Sequence, residues 1–185
     1  MRVLTSGGPP HTVLEARYLN NYQCSLGASG TCILSLRKPD KLVLAVFDPV
    51  QGNPREFATL PQTPAGWNWS LSPNGRSVAV APLNDSAIEL RILSLKGTPI
   101  GEIAVSGWDS FTSVDWTHDG RGLLVSSNAA GLISSLLYVD LTGNAHVLWR
   151  TMSIPPVWAI PSHDGRYVAM PIPTILGNAW VLVNP

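Results

Sequence analysis

The chain repeats one pattern of apolar and polar positions at a fixed interval. Glycines stand at positions 30, 75, 120 and 165, each 45 residues from the next. At the same offset after each glycine comes an apolar residue: Ile33, Val78, Leu123 and Val168. Apolar residues also alternate with others before and after each glycine. Because alternation on both sides of a short turn is typical of a β-hairpin, we predict one hairpin in each repeat.

Three of the four turns have the same chemistry. Segments 72–76, 117–121 and 162–166 read SPNGR, THDGR and SHDGR. Asn-Gly and Asp-Gly pairs accept positive φ at low cost and favour tight turns. The first repeat has GASG at 27–30 instead, so we expect its hairpin to have a different shape.

Further strands follow each hairpin. The pattern predicts a third strand at 42–47, 88–93, 136–141 and 179–183, and a fourth at 56–60, 100–105 and 146–151. We expect no helix of three turns. Four short strands in about 45 residues are typical of a β-propeller blade. The rival all-β fold, a sandwich, does not require glycines on a fixed period, so the repeat favours an all-β propeller of four four-stranded blades.

The length of 185 residues then holds four repeats with little left over. We predict one propeller domain over 1–185, with an N-terminal strand in 1–16 and blades at about 17–61, 62–106, 107–152 and 153–185. The last blade lacks a fourth strand, whereas 11–15 offers a spare one. Three arrangements follow: a four-bladed ring closed by that strand, a homodimer joined through open edges, or an open part of a larger propeller.

These residues resemble a known family. The segment WSLSPNGRSVAV at 69–80 is similar to the WD40-like repeat of TolB-type propellers, and 113–121 and 159–166 match it with His in place of Pro. Segment 137–143 resembles the later strand of that repeat. The resemblance implies the propeller fold but little about function, because propellers host many unrelated activities. The chain also resembles the C-terminal propeller portion of larger bacterial proteins. Some of those proteins have a kinase or winged-helix domain upstream, and the motifs of such domains are not found in this sequence.

Composition narrows the function classes. The chain has 12 Lys+Arg, 12 Asp+Glu and only 13% charged residues, so it has no basic footprint for nucleic acid. The apolar run 42–47 is far shorter than the ~20 residues of a membrane span. No signal peptide is expected, since the apolar stretch after Arg2 ends at the segment 5–10. A complete chain would therefore be cytoplasmic, and part of a longer exported protein would be periplasmic.

The two cysteines leave the redox compartment open. If the first hairpin turned at 29–30 as the others do, Cys24 would lie opposite Ser35. Cys24 and Cys32 would then be roughly 10 Å apart at ~3.3 Å per residue, beyond the ~7 Å limit between the Cα atoms of a disulfide. The irregular loop offers a way to bring them together. A disulfide would indicate an oxidising compartment, and two free thiols would indicate the cytosol.

Motifs for catalysis are weak. His118-Asp119 and His163-Asp164 resemble acid–base pairs, but each lies in a repeated turn, where Asp serves turn chemistry. The segment 35–38 matches Ser-x-x-Lys, a pattern common by chance, and no Gly-x-Ser-x-Gly elbow occurs. We therefore expect no catalytic residue, no cofactor and no metal site. The alternative is an enzyme with its site on the channel face, or an accessory or gating propeller of a hydrolase.

Aromatic residues give the remaining indication of function. Trp69, Trp116 and Trp180 fall on predicted strands, where they are expected to pack between blades. The connections that lead into the innermost strands, together with the loops between second and third strands, form one face of the central channel. Six other residues fall on this face: Trp67, Trp108, Asp109, Phe111, Asn128 and Trp158. We predict that this channel face binds a protein or small-molecule partner, although capping of the core would explain the same residues.

Overall fold

All regular secondary structure in the described part of the chain is β-strand. The computed structural model describes residues 1, 3, 6–25, 30–83, 89–108, 110–129, 133–152 and 158–171, the side chains at 128, 129 and 133 excepted. No helix in these ranges is long and apolar enough to cross a membrane. The predicted all-β propeller fold is confirmed.

The strands form three four-stranded antiparallel sheets and one two-stranded sheet, each in chain order. The first sheet, blade I, consists of β1 Leu19–Cys24, β2 Cys32–Lys38, β3 Lys41–Asp48 and β4 Gly52–Pro61. Blade II consists of β5 Trp67–Leu71, β6 Ser77–Pro82, β7 Glu89–Ser94 and β8 Pro99–Ala104. Blade III consists of β9 Phe111–Trp116, β10 Gly122–Ala129, β11 Ile133–Asp140 and β12 Ala145–Thr151. The described part of blade IV is β13 Ile160–Pro161 and β14 Val168–Ala169.

The repeated turns fold alike. In all three the glycine has positive φ and its N–H donates to the carbonyl of the first turn residue, as Gly120 does to Thr117 at 3.0 Å. The Asp119 carboxylate accepts hydrogen bonds from the Arg121 N–H and the Thr117 hydroxyl. Asn74 and Asp164 take the same place in blades II and IV. The repeat therefore encodes a turn whose polar groups satisfy one another.

The first hairpin differs in register. Cys24 pairs directly with Cys32 and not with Ser35, so this hairpin has a different shape from the others, as its GASG sequence led us to expect. In the other hairpins, six residues separate the last residue of the inner strand from its partner on the second strand, as between Leu71 and Val78. Blade I has seven between its cysteines, and this longer loop shifts the pairing away from the position that the glycine spacing predicts.

The hydrophobic core lies between blades rather than within them. Trp69 is 3% exposed and packs between blades I and II, and Trp116 is 6% exposed and packs between blades II and III. Both confirm the predicted packing role, and Trp180 lies outside the described residues. A third cluster joins Leu124 and Leu136 of blade III to Ala159, just before β13. Burial of flat apolar sheet faces against one another stabilises the stack of blades.

Blades II and III each also contact the outer strand of the blade before them. A Cβ placed on Gly97, in the turn before β8, would collide with the carbonyl oxygen of Phe57 in β4. A Cβ on Gly143, before β12, would collide with the carbonyl oxygen of Ala104 in β8. A glycine in this turn therefore allows the blades to approach closely.

The N-terminal segment occupies the corresponding place beside blade I. A Cβ on Gly52 would collide with the carbonyl oxygen of Val13, just as Gly97 would with Phe57. The segment and blade I enclose an apolar cavity of about 370 Å³, whose lining includes Val13, Leu14 and Leu34. The expected strand at 11–15 is not formed as such, since only His11 makes a β-bridge. The segment nevertheless lies where the outer strand of a preceding blade would lie.

Among the described residues the four sheets are separate from one another, and the outer strands β4, β8 and β12 are largely exposed. Two of these strands contain proline, Pro54 in β4 and Pro99 in β8. In β12, by contrast, Val147 and Leu148 are exposed. The predicted strand at 179–183 lies outside the described residues.

Candidate functional site

A cavity of about 310 Å³ lies where the innermost strands of all four blades meet, at the end that carries the repeated turns. We call it the channel cavity. Each innermost strand contributes its last two residues: Gln23, Cys24, Ser70, Leu71, Asp115, Trp116, Ile160 and Pro161. The turns add Ser72, Pro73, His118 and Ser162, and Ser25 completes the lining.

The polar groups of the channel cavity link neighbouring innermost strands. The Leu71 N–H donates to Gln23 Oε1 at 2.8 Å, which joins β5 to β1. The Trp116 N–H donates to Ser70 Oγ at 3.2 Å, and the indole Nε1 of Trp116 donates to the Ser70 carbonyl at 3.1 Å. Side chains thus satisfy backbone groups that have no strand partner on the channel side.

Asp115 is the one carboxyl group in the described lining of the channel cavity. Its Oδ1 accepts a hydrogen bond from the Ser70 hydroxyl at 3.2 Å. Burial raises its pKa from 3.8 to about 7, and the Ser70 hydrogen bond opposes that rise. Among the described residues no Lys or Arg forms an ion pair with it. The cavity therefore contains a carboxyl group that changes charge near neutral pH and has no cationic partner there.

The residues predicted from sequence lie toward the opposite end of the innermost strands. Trp67 and Phe111 are buried in the cores between blades, and the Trp67 indole donates to the Pro61 carbonyl. Trp108 is partly buried against the same core, with the Arg150 guanidinium 5.8 Å from its ring. Trp158 is 50% exposed. The role of these residues in binding stays a prediction.

Two of the six predicted site residues cannot be placed in the same way. Asp109 lies outside the described residues, and only the backbone of Asn128, in β10, is described. The structure therefore brings none of the six into the channel cavity among the residues it describes.

The two His-Asp pairs serve the turns. Hydrogen bonds from the Thr117 hydroxyl and the Arg121 N–H lower the pKa of Asp119, and equivalent bonds from Ser162 and Arg166 lower the pKa of Asp164. A carboxylate held in this way is a poor proton acceptor, so acid–base catalysis has no support at either turn. No group of three or more His, Cys, Asp or Glu that could hold a metal is found in the described ranges.

Cys24 and Cys32 form a disulfide with Cα atoms 4.0 Å apart. Cys24 belongs to the lining of the channel cavity, so the bond fixes the end of β1 beside Gln23. Disulfides form and persist mainly in oxidising environments. The bond is therefore typical of a protein that folds outside the reducing cytosol.

Comparison with known proteins identifies the architecture. No family model and no curated protein sequence matches the chain. Among solved structures, a protein of Agrobacterium tumefaciens provisionally assigned as TolB matches with a TM-score of 0.61 and 20% identity, over 82% of this chain and 53% of that one. The chain has a TolB-like propeller fold. At such identity the similarity shows the fold alone.

Two other structures show how widely this propeller architecture is used. A functionally unknown protein of Desulfotomaculum acetoxidans matches with a TM-score of 0.58 and 15% identity, over 90% of this chain and 53% of that one. A prolyl endopeptidase matches with a TM-score of 0.53 and 16% identity, over 83% of this chain and 26% of that one. This chain thus spans about half of the Agrobacterium and Desulfotomaculum proteins and a quarter of the prolyl endopeptidase.

Sequence reasoning did not find the channel cavity. Ser70, Asp115 and Ile160 stand five residues before the repeated glycines, so they share one position of the repeat. Two of the three are polar although they lie on innermost strands. Polar residues at this inner-strand position could have indicated the channel cavity. The prediction relied instead on the aromatic residues, which lie at the other end of the same strands.

Proposed function

We propose that this TolB-like propeller is a non-catalytic binding module that takes a protein or small-molecule ligand through its central channel. The observation that carries the proposal is the channel cavity, to which the innermost strands of all four blades contribute. Concave sites with apolar walls and a few convergent polar groups are the usual form of a ligand site. The aromatic residues at the other end, Trp108 and Trp158, provide a second surface for a larger partner.

The channel is tested by filling it. Ile160 lines the cavity and is 53% exposed, so Ile160→Trp should occupy the cavity without disturbing the cores between blades. We expect ligands from a chemically diverse library that raise the Tm of the wild type to lose that effect in Ile160→Trp. Val147→Trp, on the exposed outer strand β12, is the matched control and should keep it. Ligands that stabilise all three proteins equally would contradict binding in the channel.

The alternative function is an accessory or gating propeller of a hydrolase, or an enzyme with its site on the channel face. It is favoured by the fold similarity to the prolyl endopeptidase structure. A panel of esterase, peptidase and glycosidase substrates separates an enzyme with its own site from a non-catalytic propeller. Turnover by this chain that Ile160→Trp abolishes would favour an enzyme, and no turnover by a chain that still binds ligands favours the binding module.

The compartment follows from the disulfide. We infer that the protein functions in an oxidising compartment such as the periplasm, because the Cys24–Cys32 bond would not persist in a reducing cytosol. Thiol labelling of the protein in intact cells tests this: cysteines that label only after reduction support it, and cysteines that label directly contradict it.

A further inference from the structure

We propose that the channel cavity recognises a primary ammonium group, with Asp115 as its counter-ion. The proposal deepens the binding function proposed above and rests on it. It names the chemistry of the ligand, which either a small free amine or a lysine side chain of a partner protein would present.

The first argument is the charge inventory of the channel cavity. Asp115 and His118 are the titratable groups in its described lining, and no lysine or arginine lies there. The cysteine in the lining is held in the disulfide and does not titrate. A largely buried carboxylate without a cation is costly, because the single hydrogen bond from Ser70 replaces only part of the hydration that is lost on transfer from water. A cationic ligand would supply that missing charge.

The second argument is the pattern of occupied and open hydrogen-bonding atoms. Asp115 Oδ1 accepts from Ser70, while Oδ2 has no hydrogen-bond partner among the described residues. A guanidinium binds a carboxylate best through both oxygens, whereas an ammonium is a point charge that needs one. The open oxygen therefore favours an ammonium over a guanidinium.

The third argument excludes other ligand classes. A divalent metal needs several protein ligands, and the described residues contain no group of three that could hold one. An anion would meet the Asp115 carboxylate with no lysine or arginine to offset it. The apolar residues Leu71, Trp116 and Ile160 line the same cavity and would contact a short alkyl chain. An alkylammonium fits both the charge and the walls.

Binding of such a ligand should depend on pH. Only the ionised form of Asp115 pairs with a cation, and its pKa in the free protein is raised to about 7 by burial. His118 is the other titratable group of the described lining. Binding should weaken as the pH falls because Asp115 then takes up a proton. Ionisation of Asp115 alone predicts about tenfold weaker binding at pH 6 than at pH 8.

The experiment titrates the full chain with n-butylammonium at pH 6, 7 and 8 by isothermal calorimetry. We expect binding that weakens about tenfold from pH 8 to pH 6, and no binding of n-butanol, which has the same chain without the charge. Asp115→Asn should lower the affinity at pH 8 at least tenfold and abolish the pH dependence. A blocked lysine-containing pentapeptide, run in parallel, distinguishes a lysine side chain from a small amine as the source of the group.

The matched control is Asp119→Asn. Asp119 belongs to the same blade but holds a turn, and Asn74 serves the same turn in blade II, so this variant should fold and bind as the wild type does. Equal binding of n-butanol and n-butylammonium, or binding that Asp115→Asn leaves intact, overturns the proposal. If Asp115→Asn does not fold, the comparison of the two ligands on the wild type still decides. If butylammonium does not bind but other ligands do, and Ile160→Trp blocks those ligands, the inference about the ammonium group is rejected. The proposed binding function is then still supported.

Discussion

At the scale of single residues, Asp115 contributes a loss of stability as the pH rises. Its folded-state pKa of about 7 lies above the unfolded value of 3.8. The folded protein therefore holds this proton more tightly, and the resulting stability is complete below pH 3.8 and is lost as the pH rises through 7. Asp119 and Asp164 behave in the opposite sense, because their pKa values are lowered and their contribution is lost in acid.

The variant Asp115→Asn isolates this effect, since an amide cannot ionise. We expect the wild type to lose stability relative to Asp115→Asn as the pH rises from 4 to 8, by up to about 4 kcal/mol. Urea denaturation of both proteins across that range measures the difference. A difference in unfolding free energy that stays constant with pH would show that Asp115 is not buried as the structure has it.

The disulfide is the other residue-scale feature with a measurable energy. It closes a short loop between Cys24 and Cys32 and so restricts the unfolded chain. Replacing both cysteines with serine should lower the free energy of unfolding by about 2–3 kcal/mol. Reduction of the wild type should give the same loss, while the reductant should leave the double variant unchanged. A reductant effect on the double variant would point to another cause.

At the scale of elements, the turn before each outer strand controls how closely blades pack. Gly97 and Gly107 both have positive φ, at 80° and 85°. A Cβ on Gly97 would meet the Phe57 carbonyl, whereas one on Gly107 would meet nothing within 4 Å. We expect Gly107→Ala to cost about 1 kcal/mol of stability from backbone strain alone, and Gly97→Ala about 2–4 kcal/mol.

Chemical denaturation of the two variants separates strain from the contact between blades. If Gly97→Ala and Gly107→Ala lower the free energy of unfolding equally, the close approach of blade II to Phe57 does not contribute to stability.

The elements themselves were predictable because their signals are local. Alternation and Asp-Gly turns predicted hairpins that the structure confirms, and the expected third strand at 42–47 corresponds to β3, Lys41–Asp48. The pairing of Cys24 was not predictable, since the loop between the cysteines departs from the repeated turn. The channel cavity was missed for a related reason. Its polar groups come from positions 70 and 115, on different blades, and only the stacking of blades brings them together.

At the scale of the whole molecule, the N-terminal segment takes the place of a missing outer strand. The contact of Gly52 with Val13 repeats that of Gly97 with Phe57. Deleting residues 1–16 should therefore lower the Tm, and Gly52→Ala should cost less in the truncated protein than in the full chain. Gly97→Ala should cost the same in both, which makes it the control. Equal costs of Gly52→Ala in both backgrounds would contradict this placement.

The same truncation addresses assembly. A four-bladed ring closed by the N-terminal segment, a dimer joined through open edges and an open part of a larger propeller all remain proposals. Light scattering of the full and truncated chains separates the dimer from the two monomeric arrangements. A dimer that dissociates on truncation supports joined edges, and a full chain that is monomeric contradicts them. An unchanged mass and Tm would show that the segment contributes neither to assembly nor to stability.

The exposed outer strands affect how the protein self-associates at high concentration. An exposed strand edge is a template on which another chain can add a strand, and proline interrupts such a template because it lacks an N–H. Strands β4 and β8 have that protection in Pro54 and Pro99. Strand β12 has none, and it exposes Val147 and Leu148. Self-association at high concentration should therefore begin at the edge of blade III, and a single proline or lysine there would be the simplest way to keep the molecule in solution.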